Sequence, residues 1–528
     1  MRNLLRVATV ALATLVIGFG LATASAVEAV ACSPGDRPEP GVQGQVPLAD
    51  EATGASRQGY SCNIRRVASN DINGRGGDWQ LTWYDRCAYR STPTPAGDGV
   101  AILDVANARR PRLVKVLHEA AWTGRGGTLG IHEGLHASVR RGVLVVPIGT
   151  LVSVYDLRAD CTKPRHTADF DIGYGSDPLK QRDSFPPNMG IHSGKLSADG
   201  TFYYATDLGN GLISPTGPCI TVVDLANLRR PRLTGRFGVD FPCHDLELSP
   251  DGTRAYVGFY STGPGYEAAI AAAFTSVFPP SYLLTGLRIL DTTDVQRRRA
   301  NPQVRIVGEL TGGRQHTETF TRIKGRSYII GGEEAVCPGG NGRIVDITDE
   351  AHPVAVAELP LEVNRMPNCG TAKVDRDESE TRFILGYMTH YISVDNRNDA
   401  SLAFISWYNS GLRVFDIHDP HHPREVAYYN PPVGQRASAS HDTTMTYSRY
   451  DAATGRIWFG SLFGGFYVVE LAPTLRPRTK GVRVSRTWSV GRRANSQPVR
   501  ASAAARSAGG PQPGELHYHC SLVPSLWR

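Results

Sequence analysis

The sequence predicts an all-β protein, a seven-bladed β-propeller of four-stranded blades, and three observations carry that prediction. A short apolar, β-branched strand closed by an acid recurs seven times. In five copies a proline stands seven residues beyond the acid. A strand–turn–strand phrase, usually opened by histidine, precedes the acid-closed strand. Repeats of one ordered phrase are the signature of radially or linearly stacked units.

In chain order, residues 1–31 read as an export signal. Arg2 and Arg6 supply the positive end, Val7 to Ala24 carries no charge, and Ala24-Ser25-Ala26 or Ala29-Val30-Ala31 offers the small-residue cleavage site. Cys32, directly after the second, is also a candidate for lipid modification, although the tripeptide before it lacks the usual large aliphatic residue. No later run is long and apolar enough to span a bilayer, so the mature chain is expected to be secreted or held at the cell surface. Residues 32–61 form a Pro/Gly-rich leader expected on the surface. Residues 62–490 are assigned to the propeller. From residue 491 to 528 the chain turns to Arg, Ser, Ala, Gly and Pro, the composition of a disordered tail.

The acid-closed strands end at Asp104, Asp156, Asp224, Asp291, Asp346, Asp416 and Glu470. An acid at a strand end can accept the backbone N–H groups of an Asx-type turn. Pro111, Pro231, Pro353, Pro423 and Pro477 then start the next run, and proline belongs at the first residue of an edge strand. Upstream stand "HASVRRGVLVV" from His136, "HSGKLSADGTFYYAT" from His192, "HDLELSPDGTRAYVG" from His244 and "HTETFTRIKGRSYIIG" from His316. "CGTAKVDRDESETRFILG" from Cys369 and "HDTTMTYSRYDAATGRIWFG" from His441 complete the series, with "DWQLTWYDRCAYRS" from Asp78 as the weaker first copy. Each unit is thus four strands. Packing seven of them about an axis buries both faces of every sheet. Two segments compete to close the ring: "CNIRRVAS" from Cys62, and "RPRTKGVRVSRTW" after Glu470.

"VAILDVANARRPRLV", "TVVDLANLRRPRLTG" and "LRVFDIHDPHHPREV" resemble the LVIVD repeat of exported bacterial and archaeal β-propellers. The resemblance covers most of the mature chain and implies the propeller fold. It implies no particular activity, because that repeat family has none defined. The turn after Asp156 ("LRADCTKPRH") and the one after Asp291 ("VQRRRANP") depart from the repeat.

The first strand of each blade lines the channel, so His136, His192, His244, His316 and His441 are expected at its mouth, with His132 (beside Glu133) and Cys369 as further candidates. A ring of neutral imidazoles suits a transition metal: Cu, Zn or Fe. The arrangement is similar to other propellers with axial histidines, such as carotenoid oxygenases (iron), nitrous oxide reductase (copper) and the selenium-binding protein/methanethiol oxidase family, though no motif of theirs is matched. The same histidines could instead tie neighbouring blades. Asp245, Glu247 and Glu318 are candidate bases beside a metal-bound water. His390 is placed in an insertion of blade six, away from the axis. The apolar insertion 260–286 is read as a packed flap or a lid.

Nine cysteines in an exported chain imply disulfides, and proximity suggests Cys62–Cys87, Cys161–Cys219 and Cys337–Cys369. A formal charge of +7 without a basic, aromatic-rich block argues against nucleic acid. No P-loop, G-x-S-x-G or HExxH motif occurs. Two functions therefore stand: a binding or scaffold propeller for an extracellular protein, glycan or small molecule, and a metal-dependent, oxidase- or hydrolase-like enzyme.

Overall fold

The computed structural model describes residues 30–477, apart from 96, 124–132, 174–190, 207–217, 239–242, 261–284, 312–316, 335–338, 369–385 and 435–438. Residues 1–29 of the predicted export signal, the tail from 491, His132, His316, Cys337, Cys369 and nearly all of the 260–286 insertion lie outside the described residues.

The described residues form 29 strands in seven antiparallel sheets. Two strands come first: β1 (Tyr60–Cys62) and β2 (Ile64–Asn70). Blade 1 is β3 (Leu81–Tyr84), β4 (Cys87–Thr94), β5 (Gly97–Asp104) and β6 (Arg112–Leu117). Blade 2 is β7 (His136–Ser138), β8 (Val143–Ile148), β9 (Leu151–Asp156) and β10 (Arg165–Asp171). Blade 3 is β11 (Gly194–Leu196), β12 (Phe202–Thr206), β13 (Pro218–Asp224) and β14 (Arg232–Gly238). Blade 4 is β15 (Cys243–Leu248), β16 (Arg254–Tyr260), β17 (Thr285–Asp291) and β18 (Arg305–Thr311). Blade 5 is β19 (Thr317–Ile323), β20 (Arg326–Gly332), β21 (Gly342–Asp346) and β22 (Val354–Leu359). Blade 6 is β23 (Thr389–Val394), β24 (Leu402–Trp407), β25 (Gly411–Asp416) and β26 (Arg424–Asn430), with β1 added outside β26. Blade 7 is β27 (Arg449–Asp451), β28 (Arg456–Ser461) and β29 (Gly465–Leu471), and β2 is its outer strand.

Every acid-closed run is the third strand of its blade. Asp104, Asp156, Asp224, Asp291, Asp346 and Asp416 each accept the backbone N–H two residues on, at 2.7–3.0 Å. This turn aims the chain back along the sheet, and β6, β14, β22 and β26 each begin immediately after the predicted proline. The ring closes with the N-terminal candidate: β2 pairs with β29 from Ile64↔Leu471 to Asn70↔Phe466.

The apolar cores lie between blades. Tyr89 and Val100 of blade 1 meet Leu144 and Tyr155 of blade 2. Val145 meets Tyr203 across blades 2 and 3, and Val222 meets Val257 across 3 and 4. Ile289 and Ile329, Ile330 and Ile405, and Val414 and Phe459 continue the series, and Phe466 with Leu103 returns it to blade 1. Each sheet therefore buries both faces only because it has two neighbours.

The leader is docked more firmly than its composition implies. Val46 is buried, and Glu39 forms an ion pair with the buried Arg413 of β25. The disulfides differ from those that proximity suggests. Cys32 bonds Cys62, Cys87 bonds Cys161, and Cys219 bonds Cys243. The pairs Cys62–Cys87 and Cys161–Cys219 are thereby corrected. The last two bridges join blades 1 and 2 and blades 3 and 4, partners that are near in space because neighbouring blades stack face to face. Cys32 Sγ, being in a disulfide, is not free to carry lipid. The three disulfides among the described residues fit an oxidising, extracytoplasmic setting, and no helix among these residues is long and apolar enough to cross a membrane.

Candidate functional site

The innermost strands bring two layers of ionisable side chains to the channel. The outer layer begins with Glu133. Its N–H donates to His192 O at 3.1 Å, and Gln80 Nε2 donates to Glu133 O at 3.0 Å. Two glycines let this loop sit so close to blade 3. A Cβ at Gly134 or Gly194 would fall 2.4 or 2.3 Å from Tyr203 Oη, which donates to Gly134 O at 2.9 Å. The glycines that close the "IHEG" and "IHSG" phrases are therefore a packing requirement.

Around Glu133 stand His192, His244, Glu334 and His390, from blades 3, 4, 5 and 6. His390 Nε2 lies 3.1 Å from Glu133 Oε1 and 3.4 Å from Glu334 Oε1. His244 Nε2 lies 3.1 Å from Glu334 Oε2. The His192 and His244 rings are 4.4 Å apart between centroids, with His192 Nδ1 3.2 Å from His244 O. Tyr391 donates to Glu133 Oε2 at 2.5 Å, and Tyr408 donates to Glu334 Oε1. All five groups are buried or nearly so, with the His390 side chain 0% exposed. Burial opposes the charge on Glu133, but His390, His192 and His244 hold its carboxyl well below the usual range. Glu334 is likewise held down to about 2, against burial, by His390 and His244. Burial lowers His192 to about 4. His390 is raised, since the pull of Glu133 and Glu334 outweighs its burial.

The inner layer lies further along the axis. Lys195 Nζ donates to Tyr447 Oη at 2.6 Å and lies 3.5 Å from Glu247, which Arg397 also meets at 3.0 Å. Tyr447 donates to Asp245 at 3.3 Å, and Ser193 Oγ donates to the same carboxylate. A bulge between Cys243 and Leu246 in β15 breaks strict alternation. The Tyr391 and Tyr447 rings, 4.0 Å apart, connect the layers.

Of the five predicted axial histidines, His192 and His244 meet in the outer layer. His136 belongs to the inner one. It takes the Leu196 N–H on Nδ1 at 3.2 Å, roughly 10–13 Å beyond the level of His192 at a strand rise of about 3.3 Å per residue. Burial, aided by Lys195, lowers it to about 3. His441 faces the leader instead, with Ser440 Oγ at 2.8 Å and Glu51 at 3.4 Å from Nδ1. His316, His132 and Cys369 lie outside the described residues. His390 is a correction: it sits on β23, the inner strand of blade 6, and is not peripheral. The phrase beginning at Cys369 has the pattern of that strand and its turn, but β23 begins at Thr389. Glu334 was missed as well, since it lies in a loop without strand periodicity. The surviving signal was the pair Glu333-Glu334 directly after the apolar run of β20.

Glu318 of β19 points into the inner layer and is 1% exposed. Neither carboxyl oxygen has a well-formed hydrogen bond among the described residues, the Gly258 amide offering only a weak one. Burial, and then Asp245, push its pKa well above the usual range. A carboxyl raised in the folded state favours folding less as pH climbs from its unfolded value, about 4.3, towards its folded value. Glu318→Gln is therefore expected to stabilise by about 1–3 kcal/mol at pH 7 and to change little at pH 4. Urea unfolding at both pH values checks this, and a gain independent of pH would contradict it.

Among the described residues, the donor trio lying within 4.8 Å of one another is Cys32, Asp36 and Cys62. Its two sulfurs are joined in a disulfide and cannot act as thiolate ligands. The outer-layer donors stand in close pairs around Glu334 and His390, not in one closed cage. No family model matches the chain and no curated protein matches it, so the resemblance of its acid-closed strands to the LVIVD repeat stands on those residues alone.

Proposed function

We propose that the chain is an exported β-propeller of LVIVD-repeat type that acts by binding, at or outside the cell surface, through the channel end where Glu133, His192, His244, Glu334 and His390 meet. The observation that supports this is the cluster itself. Burying ionised carboxylates costs several kcal/mol each unless they are paired, and apolar side chains would hold the blades together as well or better. Five ionisable groups from five blades at one buried point are therefore better explained by a ligand than by stability. Their depth favours a small molecule or ion over a protein or glycan, which would meet the outer surface. Export is supported by the N-terminal apolar run and the three disulfides.

The second reading, a metal-dependent enzyme of oxidase- or hydrolase-like chemistry, draws on the same cluster. Imidazole and carboxylate donors that leave coordination positions open are what a catalytic metal takes.

The binding reading is tested by melting the purified mature chain against a library of polar metabolites, beside the Glu133→Gln/Glu334→Gln double variant. A ligand at a hundredfold excess over its Kd stabilises by about 2.7 kcal/mol. At least one such shift is expected in the wild type and not in the double variant. Shifts that persist undiminished in the variant would place binding elsewhere on the molecule and remove this assignment.

A further inference from the structure

In an antiparallel four-stranded blade, the turn between the first and second strands and the turn between the third and fourth lie at the same end. Contacts between blades show that these turns form one face. Arg86 of blade 1 lies 3.5 Å from Asp160 of blade 2. Arg141 of blade 2 donates to Leu225 O and Ala226 O of blade 3, both at 2.8 Å. Arg298 of blade 4 lies 3.0 Å from Asp224 of blade 3. This face is opposite the end where Glu133 and His390 meet, because the first strands run from that cluster, past the inner layer, to these turns.

Charge is spread unevenly over the face. From the closing acid to the first residue of the fourth strand, the net formal charge is +2, +1, +2 and +2 in blades 1 to 4, but −3 in blade 5 and −1 in blade 6. Arginines that the fold does not use carry the excess. The turns of blades 1 and 3 share one construction. Asn107 and Asn227 each accept the backbone N–H of the first arginine on Oδ1 at 3.0 Å, and that of the second on the carbonyl at 2.8 and 3.0 Å. Arg109, Arg110, Arg229 and Arg230 are thereby presented to solvent. With the equally exposed Arg140 and Arg297, they have no ion-pair partner among the described residues, unlike Arg112, Arg158, Arg298 and Arg299. Like charges gathered in this way repel one another and attract an anionic surface.

Exposed aliphatic side chains stand beside these arginines. Val139 precedes Arg140, Leu233 follows Arg232 and Ile306 follows Arg305, and they are 60%, 41% and 45% exposed. A soluble polyanion offers such side chains nothing to enter. A lipid surface takes both kinds, headgroup phosphates at the guanidiniums and the acyl boundary at the aliphatics. No aromatic residue lies in the four acid-to-proline turns of blades 1 to 4, so they offer nucleic-acid bases no stacking platform.

We propose that the turns of blades 1 to 4 are a docking surface for an anionic lipid bilayer, to which the exported chain binds peripherally. Cys32 is in a disulfide and cannot carry lipid, so this face supplies the attachment to the cell surface. The acidic turns of blades 5 and 6 are held off the bilayer, and the cluster at the other end of the channel faces away from it. The inference does not depend on what that cluster binds.

The test sediments the full mature chain with vesicles of phosphatidylcholine alone, or of phosphatidylcholine with about one third phosphatidylglycerol, at low salt. Binding to the anionic vesicles only is expected. Each arginine near such a surface is worth roughly fivefold in partitioning. The variant Arg109→Gln/Arg110→Gln/Arg229→Gln/Arg230→Gln is therefore expected to bind on the order of a hundredfold more weakly. The variant Val139→Ser/Leu233→Ser/Ile306→Ser is expected to lose about tenfold on vesicles while keeping its affinity for dextran sulfate, a soluble polyanion. Melting curves show that each variant has folded, and the arginine variant alone suffices if the serine variant has not. A wild type that stays in the supernatant overturns the proposal. Undiminished binding by the folded arginine variant overturns it too, by placing the contact elsewhere on the chain. Vesicle binding that needs the arginines but is untouched in the folded serine variant, with equal affinity for dextran sulfate, overturns the lipid assignment and makes a soluble polyanion the partner.

Discussion

A chain that begins at residue 71 is expected to lose its cooperative melting transition, whereas one that ends at residue 478 is expected to melt like the whole protein. The first truncation removes β2, which contributes six registered pairs to β29. It also removes Ile64, which is 1% exposed and packs with Phe459 and Val469, and Val67 beside Phe466. Net hydrogen bonds contribute about 0.5–1.5 kcal/mol each, and full burial of an aliphatic side chain about 1.5–3 kcal/mol. Together these approach the whole stability of an ordinary domain, about 5–15 kcal/mol. The damage is also not confined to one sheet. Without β2, blade 7 keeps only three strands, one of them the three-residue β27, and the interfaces with blades 6 and 1 both open. Circular dichroism melts of the two truncations decide the matter. If the shorter C-terminal end, and not the shorter N-terminal end, abolishes cooperativity, then the ring is closed by the segment after Glu470.

Much of this was legible in the residues because the propeller repeats its local chemistry. The acid, its turn and the following proline recur at fixed spacing, so the third and fourth strands of most blades could be placed before any contact was known. His192 and His244 could be placed on the axis for the same reason: each opens a copy of the same phrase. The site's other members obey no repeat. Glu334 follows β20 in a loop, where neither period nor register constrains a residue. His390 was concealed because the segment from Cys369 mimics the strand–turn–strand pattern and claims the place of the inner strand of blade 6. His136 was misplaced along the axis, since "GIHEGLH" offers two histidines four residues apart and spacing alone does not say which one is level with His192. The disulfides were misread for a physical reason too. Nearness in sequence says little when consecutive blades lay Cys87 of β4 against Cys161 in the turn of the next blade.

Replacing Arg413 by Met is expected to cost about 3–5 kcal/mol at pH 7 and to release the leader from blade 6. Arg413 is wholly buried. It meets Glu39 with both terminal nitrogens, Nη1 at 2.9 Å and Nη2 at 2.7 Å, and meets Glu425 at 3.1 Å. Its Nε donates to Ser410 O at 2.8 Å, and its guanidinium lies 4.6 Å from the Tyr428 ring centre. Gln43, four residues beyond Glu39, donates to Glu425 from the same leader. Met fills much of the volume but leaves two buried carboxylates facing each other. Glu425 is already raised, by burial first and by Glu39, with only Arg413 and Gln43 pulling it down. Removing Arg413 raises it further, so the variant's loss of stability is largest at neutral pH and shrinks as acid protonates Glu425. Hydrogen exchange at Gly44 and Val46 is expected to quicken in the variant, because the amides of both are held by side chains in this assembly, Glu39 and Tyr387. The decisive comparison is Arg413→Met alone against Glu39→Leu/Arg413→Met/Glu425→Leu. If the cost of the single variant comes from stranded charge, the triple variant recovers most of it. If instead the ionic network itself holds the leader in place, the triple variant stays as unstable as the single one, and exchange in the leader stays fast in both.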